Sequence, residues 1–423
     1  MELSLDQQKA SDEFMQFMVN PNERFMIIRG NAGSGKSTLT ADILRRVKKE
    51  IRMLSLLIGK TSDSDLDIFI TAPTNKAARV IADITSVDPL TIHSLLGLRV
   101  LNDFKTGGSK LVQTKDYQMC ENSLLLVDEA SYVDDYLLDA IDRATPGCKV
   151  LFIGDPDQLS LGADTKLPVF DMDVRTVNLT TNNRNKGPIS DLALKYKDAI
   201  QHGLFPKIVP VLGFVDHVDG PTFKKLMDTE FLNSSDIDHA KVLAWTNSRV
   251  HQYNDYIRDL LGLPSVLTKN ELVITNKPII KSPSNSLSLA TDSVCQITSI
   301  TSCNDQYGVT GNMVQLNNSR QRLFLPENQN KVTSLLKVLS NDKNWKDYFN
   351  IKNNWLDLRP LHSSTVHKSQ GSTYNVVFID LDDIGKNTNA NSMARILYVA
   401  TSRAKTRVVF YGDLPKKHYG KVL

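Results

Sequence analysis

The stretch Phe25–Thr38 (FMIIRGNAGSGKST) decides the fold class of the N-terminal part of the chain. An apolar run ends at Gly30, the next residues match G-x-x-x-x-G-K-[ST], and a helical stretch over Ser37–Lys49 follows. A glycine-rich loop between a strand and a helix turns successive backbone N–H groups inward, where they bind phosphate. A glycine-rich turn that holds a lysine by chance lacks this context. The predicted phosphate-binding residues are Gly33, Ser34, Gly35, Lys36, Ser37 and Thr38.

Apolar runs separated by helical patterns recur along the chain and predict buried parallel strands covered by helices on both faces. The runs after the first are Ile68–Ala72, Leu124–Asp128, Val150–Gly154, Val242–Trp245, Val376–Asp380 and Val408–Tyr411. Residues 263–360 differ, because Pro, Ser and Asn clusters precede the alternating stretches Ser293–Thr301 and Met313–Phe324. We interpret this region as a small β-rich insertion, followed by one or two helices over Glu327–Asn350.

The composition is that of a soluble globular protein. The 423 residues are 41% hydrophobic and 23% charged, and 50 basic against 47 acidic residues leave a net charge of +3. Disordered, collagen-like and membrane classes are thereby excluded, and a cytoplasmic location is expected. The four cysteines form no C-x-x-C pair, so neither a zinc site nor a disulfide framework is indicated. The small net charge permits a polyanionic partner without arguing for one.

Polar residues that suit phosphoryl transfer follow two of the predicted strands. Asp128 and Glu129 end the run at 124–128, where Asp128 is suited to hold Mg²⁺ together with the Ser37 hydroxyl, and Glu129 to polarise an attacking water. Lys36 would reach the β- and γ-phosphates. Gln158, after the next strand, could sense the γ-phosphate or the water. Taken alone, these segments could be a solvated strand end and a proline-containing turn.

The order of these and later motifs resembles the superfamily 1 helicases, in the 5′-to-3′ branch that includes RecD-like and Dda-like proteins. The matching segments are Gly30–Thr38 (motif I), Ala72–Ala78 (Ia), Thr91–Gly97 (Ib), Asp128–Glu129 (II), Gly154–Leu159 (III), Arg184 (IV), Ser364–Thr373 (V) and Leu397–Lys405 (VI). Two departures stand out. Ser402 separates the threonine and arginine of motif VI, and an Asn-Gly pair common in the inserted domain is absent, where this chain reads Leu289–Ser293.

The resemblance implies two RecA-like domains that bind ATP and Mg²⁺. It implies that Gln7 recognises adenine, that Arg184 and Arg403 reach the γ-phosphate from the second lobe, and that Gln370 and Gly371 link the nucleotide to DNA. The implied layout is a first domain over 1–178 with a hairpin inserted at 98–118, a second domain over 179–262 and 362–423, and an SH3-like domain with a helical extension over 263–361.

The resemblance also implies a track for a single DNA strand across both lobes. The candidate contacts are Thr74, Asn75, Lys76, Thr91, His93, Thr246, Asn247, Thr365, His367 and Lys368. Most are neutral donors, which position a phosphate backbone without strong retention, although each could instead be a cap or turn residue.

The hairpin at 98–118, whose turn we expect at Thr106–Ser109, would act as a pin that splits the duplex. Phe104 and Leu101 are its candidate wedge, and a surface hairpin without function is the alternative. Four aromatic residues of the inserted region could stack on bases, although their helical spacing favours core packing: Trp345, Tyr348, Phe349 and Trp355.

The function implied is a DNA motor of 5′-to-3′ polarity that acts on single strands, duplexes and forks. Its length suggests a monomeric viral accessory helicase, with replication proteins as possible partners. An RNA motor remains an alternative, as does a nucleotide-dependent single-strand clamp or protein-displacing translocase without processive unwinding. A nuclease-helicase is disfavoured, because little chain follows motif VI.

Overall fold

The computed structural model describes residues 3–57, 66–72, 90–114, 120–159, 166–181, 187–281, 286–319 and 321–418. The chain divides into two compact units. Unit 1 comprises Met1–Leu96, Gln118–His251 and Ser364–Leu423, and unit 2 comprises Gly97–Tyr117 and Gln252–Ser363. Within the described ranges, no helix is long and apolar enough to cross a membrane.

The strands and helices are numbered here in chain order within the described residues. The strands are β1 (Phe25–Gly30), β2 (Ile68–Ala72), β3 (Leu90–Thr91), β4 (Leu98–Asn102), β5 (Ser109–Gln113), β6 (Leu124–Val127), β7 (Lys149–Gly154), β8 (Arg175–Leu179), β9 (Val215–Val218), β10 (Ala240–Ala244), β11 (Leu272–Thr275), β12 (Ile279–Lys281), β13 (Ser286–Leu289), β14 (Val294–Asn304), β15 (Thr310–Leu316), β16 (Arg322–Pro326), β17 (Leu358–Pro360), β18 (Ser363–Thr365), β19 (Tyr374–Asp380) and β20 (Ala404–Tyr411). The helices are α1 (Leu5–Val19), α2 (Lys36–Leu57), α3 (Ile92–Leu95), α4 (Asp135–Ala144), α5 (Pro188–His202), α6 (Gly220–Asn233), α7 (Asn247–Leu260), α8 (Gln329–Asn341), α9 (Trp345–Asn354), α10 (Leu381–Ile384) and α11 (Ala390–Ser402).

The first lobe of unit 1 is built on a six-stranded parallel sheet of order β3-β2-β6-β7-β1-β8. All four residues of β6 are buried, as expected for a central strand covered on both faces. Apolar residues of α1, α2 and the sheet form one core. Because β6, β7 and β1 are parallel neighbours, the loops that follow them meet at one edge of the sheet. The predicted phosphate loop and both polar segments therefore lie side by side.

The second lobe of unit 1 contains a five-stranded sheet of order β18-β10-β19-β20-β9, in which β10, β19, β20 and β9 are parallel. Helices α5 and α11 pack against it around the fully buried rings of Tyr196 and Tyr398. Two parallel sheets covered by helices confirm the predicted α/β class with two RecA-like domains.

Unit 2 contains a five-stranded sheet of order β16-β15-β14-β11-β17, whose paired strands are antiparallel. Helices α8 and α9 pack beside it. The β-rich insertion and its two helices follow the expected pattern, whereas its identification as an SH3-like domain stays a prediction. The expected single stretch Met313–Phe324 is instead two strands, β15 and β16, because the polar residues 317–319 interrupt it.

The hairpin of β4 and β5 groups with unit 2 and not with the first lobe, to which the sequence assigned it. It interrupts the first lobe in the chain, yet its aromatic residue Phe104 packs on Phe349 of α9. Side-chain packing rather than chain order decides its grouping.

Candidate nucleotide and nucleic-acid site

The phosphate loop connects β1 to α2 as the sequence predicted. Gly33 and Gly35 have φ values of 85° and 78°, in the left-handed region that favours glycine. Lys36 begins α2, and its Nζ donates to the carbonyl oxygens of Gly30 (2.7 Å) and Asn31 (3.1 Å). The lysine amino group is thus held by two carbonyl oxygens of its own loop.

Gln7 lies against the phosphate loop rather than on an exposed helix surface. It is 3% exposed, and its Nε2 donates to the carbonyl oxygens of Ser34 and Gly35, each at 3.1 Å. Its Oε1 accepts from the backbone N–H of Ser4 at 2.9 Å, which closes the N-terminal cap of α1. In this structure Gln7 therefore braces the loop, and adenine recognition by its amide stays a prediction.

The acidic pair Asp128–Glu129 follows β6 directly. Burial, together with the nearby Glu129 charge, raises the pKa of Asp128, and Lys36 opposes that rise. Glu129 adopts a left-handed backbone (φ 51°, ψ 48°), which is uncommon for a residue with a side chain. Its Oε2 is buried and has no hydrogen-bond partner among the described residues. A carboxylate that has an unsatisfied oxygen, on a residue whose backbone is strained, is suited to orient a water molecule.

The donor set fits Mg²⁺ bound together with a nucleotide. Nowhere in the described ranges do three His, Cys, Asp or Glu residues gather to hold a metal by themselves. Mg²⁺ commonly takes one or two carboxylates and completes its shell with water and substrate phosphates. Asp128 and the half-buried Ser37 are the residues that would hold it, and the ion would supply positive charge beside the phosphates.

The turn after β7 holds Gln158 close to this pair. Gln158 is 3% exposed, and its Nε2 donates to Asp155 Oδ2 at 3.3 Å. Its Oε1 is buried without a hydrogen-bond partner in the described part of the chain. The backbone N–H of Asp157 donates to Asp155 Oδ1 at 3.1 Å, so Asp155 orders the whole turn. Gln158 keeps one polar atom free for a ligand or water.

Second-lobe residues of motifs V and VI contact this site. Gln370 Nε2 donates to the carbonyl oxygen of Leu159 at 3.3 Å, and Gln370 Oε1 accepts from the Tyr132 hydroxyl. Gly371, the next residue, has a φ of 75°. These contacts join motif V to segments that follow β6 and β7. The link from Gln370 and Gly371 to DNA stays a prediction.

Arg403 is 3% exposed and donates to Val399 O (3.2 Å), Ser372 O (3.2 Å) and Ser402 Oγ (3.1 Å). All three partners belong to the second lobe, so Arg403 is not engaged with the phosphate loop in this structure. Burial lowers the pKa of Arg403, and the negative charge of Glu129 is the strongest influence that opposes the shift. The inserted Ser402 ends α11 and serves as one of the arginine's partners.

Several predicted contacts lie outside the described residues, namely Thr74, Asn75, Lys76 and Arg184. Among the described ones, Thr91 caps α3 by accepting from Ser94 N at 3.2 Å. His93 is half-buried, and burial lowers its pKa, which keeps the imidazole neutral. Thr365 is 9% exposed, whereas Asn247 and His367 are exposed and Lys368 is half-buried.

Thr246 has the turn role that was the alternative for such residues. Its hydroxyl donates to Asp383 Oδ1 at 2.8 Å, and the backbone N–H groups of Trp245 and Thr246 donate to Asp383 Oδ2 at 2.9 and 2.7 Å. Asp383 is 1% exposed. Because the Thr246 hydroxyl donates its hydrogen bond to this carboxylate, the side chain serves first to shape the loop that precedes α7.

The hairpin pairs Leu98–Asn102 with Ser109–Gln113, and its loop spans residues 103–108. The expected turn at Thr106–Ser109 is therefore wrong. Asp103 holds the wider loop by accepting from the backbone N–H of Lys105 (2.8 Å) and from the Thr106 hydroxyl (2.6 Å). Phe104 is 59% exposed and Leu101 is 45% exposed, as expected for wedge residues.

Two aromatic residues of α9 support this loop within unit 2. Trp345 Nε1 donates to Lys105 O at 3.1 Å, and Phe349 meets Phe104 edge to face at a centroid distance of 5.1 Å. The core-packing prediction is confirmed for Phe349 and Trp355, both buried. Trp345 and Tyr348 are only half-buried. Sequence spacing could not reveal that the tryptophan seats the hairpin.

Gly107→Ala is expected to unseat the loop, whereas Gly108→Ala is not. Gly107 has a φ of 74°, and a Cβ there would lie 2.2 Å from the Trp345 ring. At Gly108 a Cβ would meet only Thr106 Oγ1, at 3.4 Å. A left-handed non-glycine residue costs about 1–2 kcal/mol before the clash is counted. We expect about three- to tenfold slower strand separation for the first variant only. Equal rates for the two variants in a fluorescence unwinding assay would contradict this role of Trp345.

Three second-lobe residues that sequence reasoning missed contact the phosphate loop or the turn after β7. They are Lys197, Arg395 and Tyr398. Arg395 lies on the helix just before motif VI and Tyr398 lies within motif VI, and that position was the one available signal. Their partners are distant in the chain, so no local pattern indicates them.

The fold and the site together define the P-loop NTPase class, here with two RecA-like lobes. The first lobe supplies the phosphate loop, the acidic pair and Gln158. The second lobe brings Gln370 into contact with the first lobe and places Arg403 within the electrostatic influence of Glu129.

Comparisons with protein families and with known proteins show what this chain is similar to. An AAA domain model matches residues 16–163, and a UvrD-like helicase C-terminal domain model matches residues 360–411. The chain is 31% identical over 195 residues to the RecD2 DNA helicase of Deinococcus radiodurans, covering 45% of this chain and 23% of that protein. It is 23% identical over 285 residues to the DNA helicase Dda of Enterobacteria phage T4, covering 65% and 61%. It thus spans less than two thirds of either helicase.

Two further likenesses extend over nearly the whole chain. Protein R530 of Acanthamoeba polyphaga mimivirus is 21% identical over 506 aligned positions, covering 96% of this chain and 98% of that protein. A solved Pif1 helicase structure shares the fold with a TM-score of 0.51 at 19% identity, covering 99% of this chain and 94% of that one. The family models and the two named DNA helicases support the resemblance of this chain to the superfamily 1 helicases of the 5′-to-3′ branch, and the Pif1 structure shows the same fold.

Proposed function

We propose that this chain is an ATP-dependent DNA motor that moves 5′-to-3′ along single-stranded DNA and separates duplexes. The observation that carries the proposal is the contact of second-lobe motif V with the nucleotide site of the first lobe. Gln370 joins Leu159 and Tyr132, which flank the segments bearing Gln158 and Glu129. A change at the phosphates is thereby connected to the lobe that carries half of the predicted DNA contacts.

ATP hydrolysis in this site uses the chain's own residues as follows. Lys36 exchanges its loop carbonyls for phosphate oxygens, and Glu129 orients the attacking water with its unsatisfied carboxylate oxygen. Gln158 offers its free amide oxygen close by. Arg403 and Arg184 would stabilise the charge that develops on the γ-phosphoryl group. Arg403 must leave its second-lobe carbonyls to do so, which makes hydrolysis dependent on lobe movement.

The hairpin converts translocation into strand separation. Its exposed Phe104 rests on Phe349, so the wedge is supported from behind rather than hanging free. Stacking on a base contributes about 1–3 kcal/mol, which is comparable to one base-pair step. An aromatic residue held at the junction is therefore sufficient to favour opening of the terminal pair.

The proposed biological role is that of a viral accessory helicase in replication or recombination that acts as a monomer. The likeness to the mimivirus protein over nearly both full lengths and the likeness to phage T4 Dda support this role. Replication proteins are the corresponding partners, and single strands and forks are the substrates.

Polarity is tested on two matched duplexes that carry a 5′ or a 3′ single-stranded tail, with ATP and Mg²⁺. We expect opening of the 5′-tailed duplex alone, because the branch loads on single strands and advances toward the 3′ end. The measurement is release of a fluorescent strand.

Opening of only the 3′-tailed duplex would contradict the polarity and the pin. If neither opened while single strands still stimulated ATP hydrolysis, the chain would be a translocase or clamp. Stimulation by RNA strands alone would make it an RNA motor.

A further inference from the structure

The hydroxyl of Tyr398 joins the two lobes of unit 1 at the nucleotide site. Tyr398 lies on α11 of the second lobe and is 1% exposed. Its oxygen accepts from the backbone N–H of Ala32 at 2.8 Å and donates to Asp155 Oδ2 at 2.7 Å. Ala32 belongs to the phosphate loop, and Asp155 orders the turn that carries Gln158. One atom of the second lobe thus contacts both first-lobe segments.

Two neighbouring side chains reinforce this connection. Arg395, one turn earlier on α11, donates through Nη1 to the carbonyl oxygens of Pro156 (2.6 Å) and Gln158 (2.9 Å). Lys197 of α5 donates to Asn31 Oδ1 at 2.5 Å and lies 3.0 Å from Asp157 Oδ2. Every partner lies in the phosphate loop or in the turn at 155–158. Side chains of the second lobe therefore form hydrogen bonds with both segments, the one that carries Lys36 and the one that carries Gln158.

Packing alone does not require this hydroxyl. A phenylalanine ring would fill the same place in the second-lobe core, which contains Tyr398 among apolar residues. Burying a hydroxyl is unfavourable unless it is hydrogen-bonded, and both hydrogen bonds of this one cross between the lobes. Burial and the nearby Asp155 charge raise the pKa of Tyr398 well above its usual value, so the proton that bonds Asp155 is retained.

We propose that Tyr398 is a positioning residue that couples the nucleotide state of the phosphate loop to the second lobe and so to bound DNA. The proposal rests on the ATP hydrolysis proposed for this site. Because Ala32 and Asp155 share one hydroxyl, a shift of the phosphate loop is passed both to the Gln158 turn and to α11. The residue contacts no reacting atom itself, and it acts through the two segments that do.

The test is Tyr398→Phe, which keeps the ring and removes both bonds. The probes are mant-ADP, with and without oligothymidylate, and the steady-state ATPase measured in the same two conditions. We expect mant-ADP to bind the DNA-free variant within about twofold of wild type, since the groups around the phosphates remain. Stimulation of hydrolysis by DNA is expected to fall about tenfold or more, as for two lost hydrogen bonds of ordinary net strength. The effect of DNA on mant-ADP affinity is expected to shrink in parallel.

Tyr411→Phe is the matched control, because Tyr411 is in the same lobe and packs on Phe223 of α6 rather than on the phosphate loop or the Gln158 turn. Stimulation by DNA within twofold of wild type in Tyr398→Phe would overturn the inference. If that variant does not fold, Arg395→Gln replaces it, with about threefold weaker stimulation expected and unchanged stimulation as the contrary result. A wild-type protein without DNA-stimulated hydrolysis would contradict the proposed function, and this inference with it.

Discussion

Glu129→Gln is expected to lower DNA-stimulated ATP hydrolysis by about 10²–10⁴-fold, the usual contribution of a positioned general base. The substitution keeps the size of the side chain and removes its negative charge. Glu129 Oε2 has no hydrogen-bond partner among the described residues, so the change leaves the local packing intact. The glutamine amide, unlike the Glu129 carboxylate, cannot accept a proton from the attacking water. Binding of mant-ADP and of single-stranded DNA is expected to persist.

Glu121→Gln is the matched control for this variant. Glu121 is exposed and lies just before β6, at the opposite end of the strand that leads to Glu129. We expect its ATPase rate to equal that of wild type in a coupled assay. Turnover by Glu129→Gln near the wild-type rate would show that another group activates the water, and the assignment of the acidic pair would be wrong.

Phe104→Ala is expected to slow strand separation by about tenfold or more while single-strand-stimulated ATPase stays within about twofold of wild type. The ring is 59% exposed and is supported by Phe349. Loss of one stacked aromatic costs about 1–3 kcal/mol, and each 1.36 kcal/mol corresponds to a tenfold change in rate. Lys36, Glu129 and Gln158 belong to unit 1 whereas the hairpin belongs to unit 2, so the substitution changes no residue of the hydrolytic site.

A second exposed phenylalanine provides the control. Phe214 of the second lobe is 47% exposed, and Phe214→Ala removes a comparable apolar surface without altering the hairpin. The measurement is a single-turnover unwinding assay run beside the ATPase assay on the same preparations. Parallel losses of unwinding and ATPase in Phe104→Ala would indicate a general defect and would remove the basis for a pin.

Glu129→Gln tests the hydrolytic site and Phe104→Ala tests the wedge. Gly107→Ala tests the residue that supports the wedge. Trp345 donates to the hairpin loop and occupies the space beside Gly107, so the loop is held by packing as well as by its own hydrogen bonds. If the hairpin variants lose unwinding but keep ATP hydrolysis, the chain is a motor with a separable strand-splitting element.

The sequence by itself determined the centre of the first lobe, namely its phosphate loop, its acidic pair and four of the six strands of its sheet, β1, β2, β6 and β7. A glycine-rich loop between an apolar strand and a helix admits few conformations, and two carboxylates after a buried strand must emerge at the same sheet edge when the strands are parallel. Gly33, Lys36, Asp128 and Glu129 could therefore be placed without coordinates. Motifs V and VI of the second lobe were identified from their residue types and order, next to the predicted strands Val376–Asp380 and Val408–Tyr411.

Only the tertiary structure decided which residues connect these parts. The partners of Tyr398 are 243 and 366 positions away in the chain, and no periodicity encodes such a pairing. Arg403 donates to a carbonyl oxygen of its own lobe, and the Thr246 hydroxyl donates a hydrogen bond to Asp383. Trp345 donates to the hairpin loop, 240 positions away in the chain. Local sequence patterns indicate the secondary structure of a segment and which of its faces is buried. Contacts between elements depend on how side chains meet in space, and that information appears only when the chain has folded.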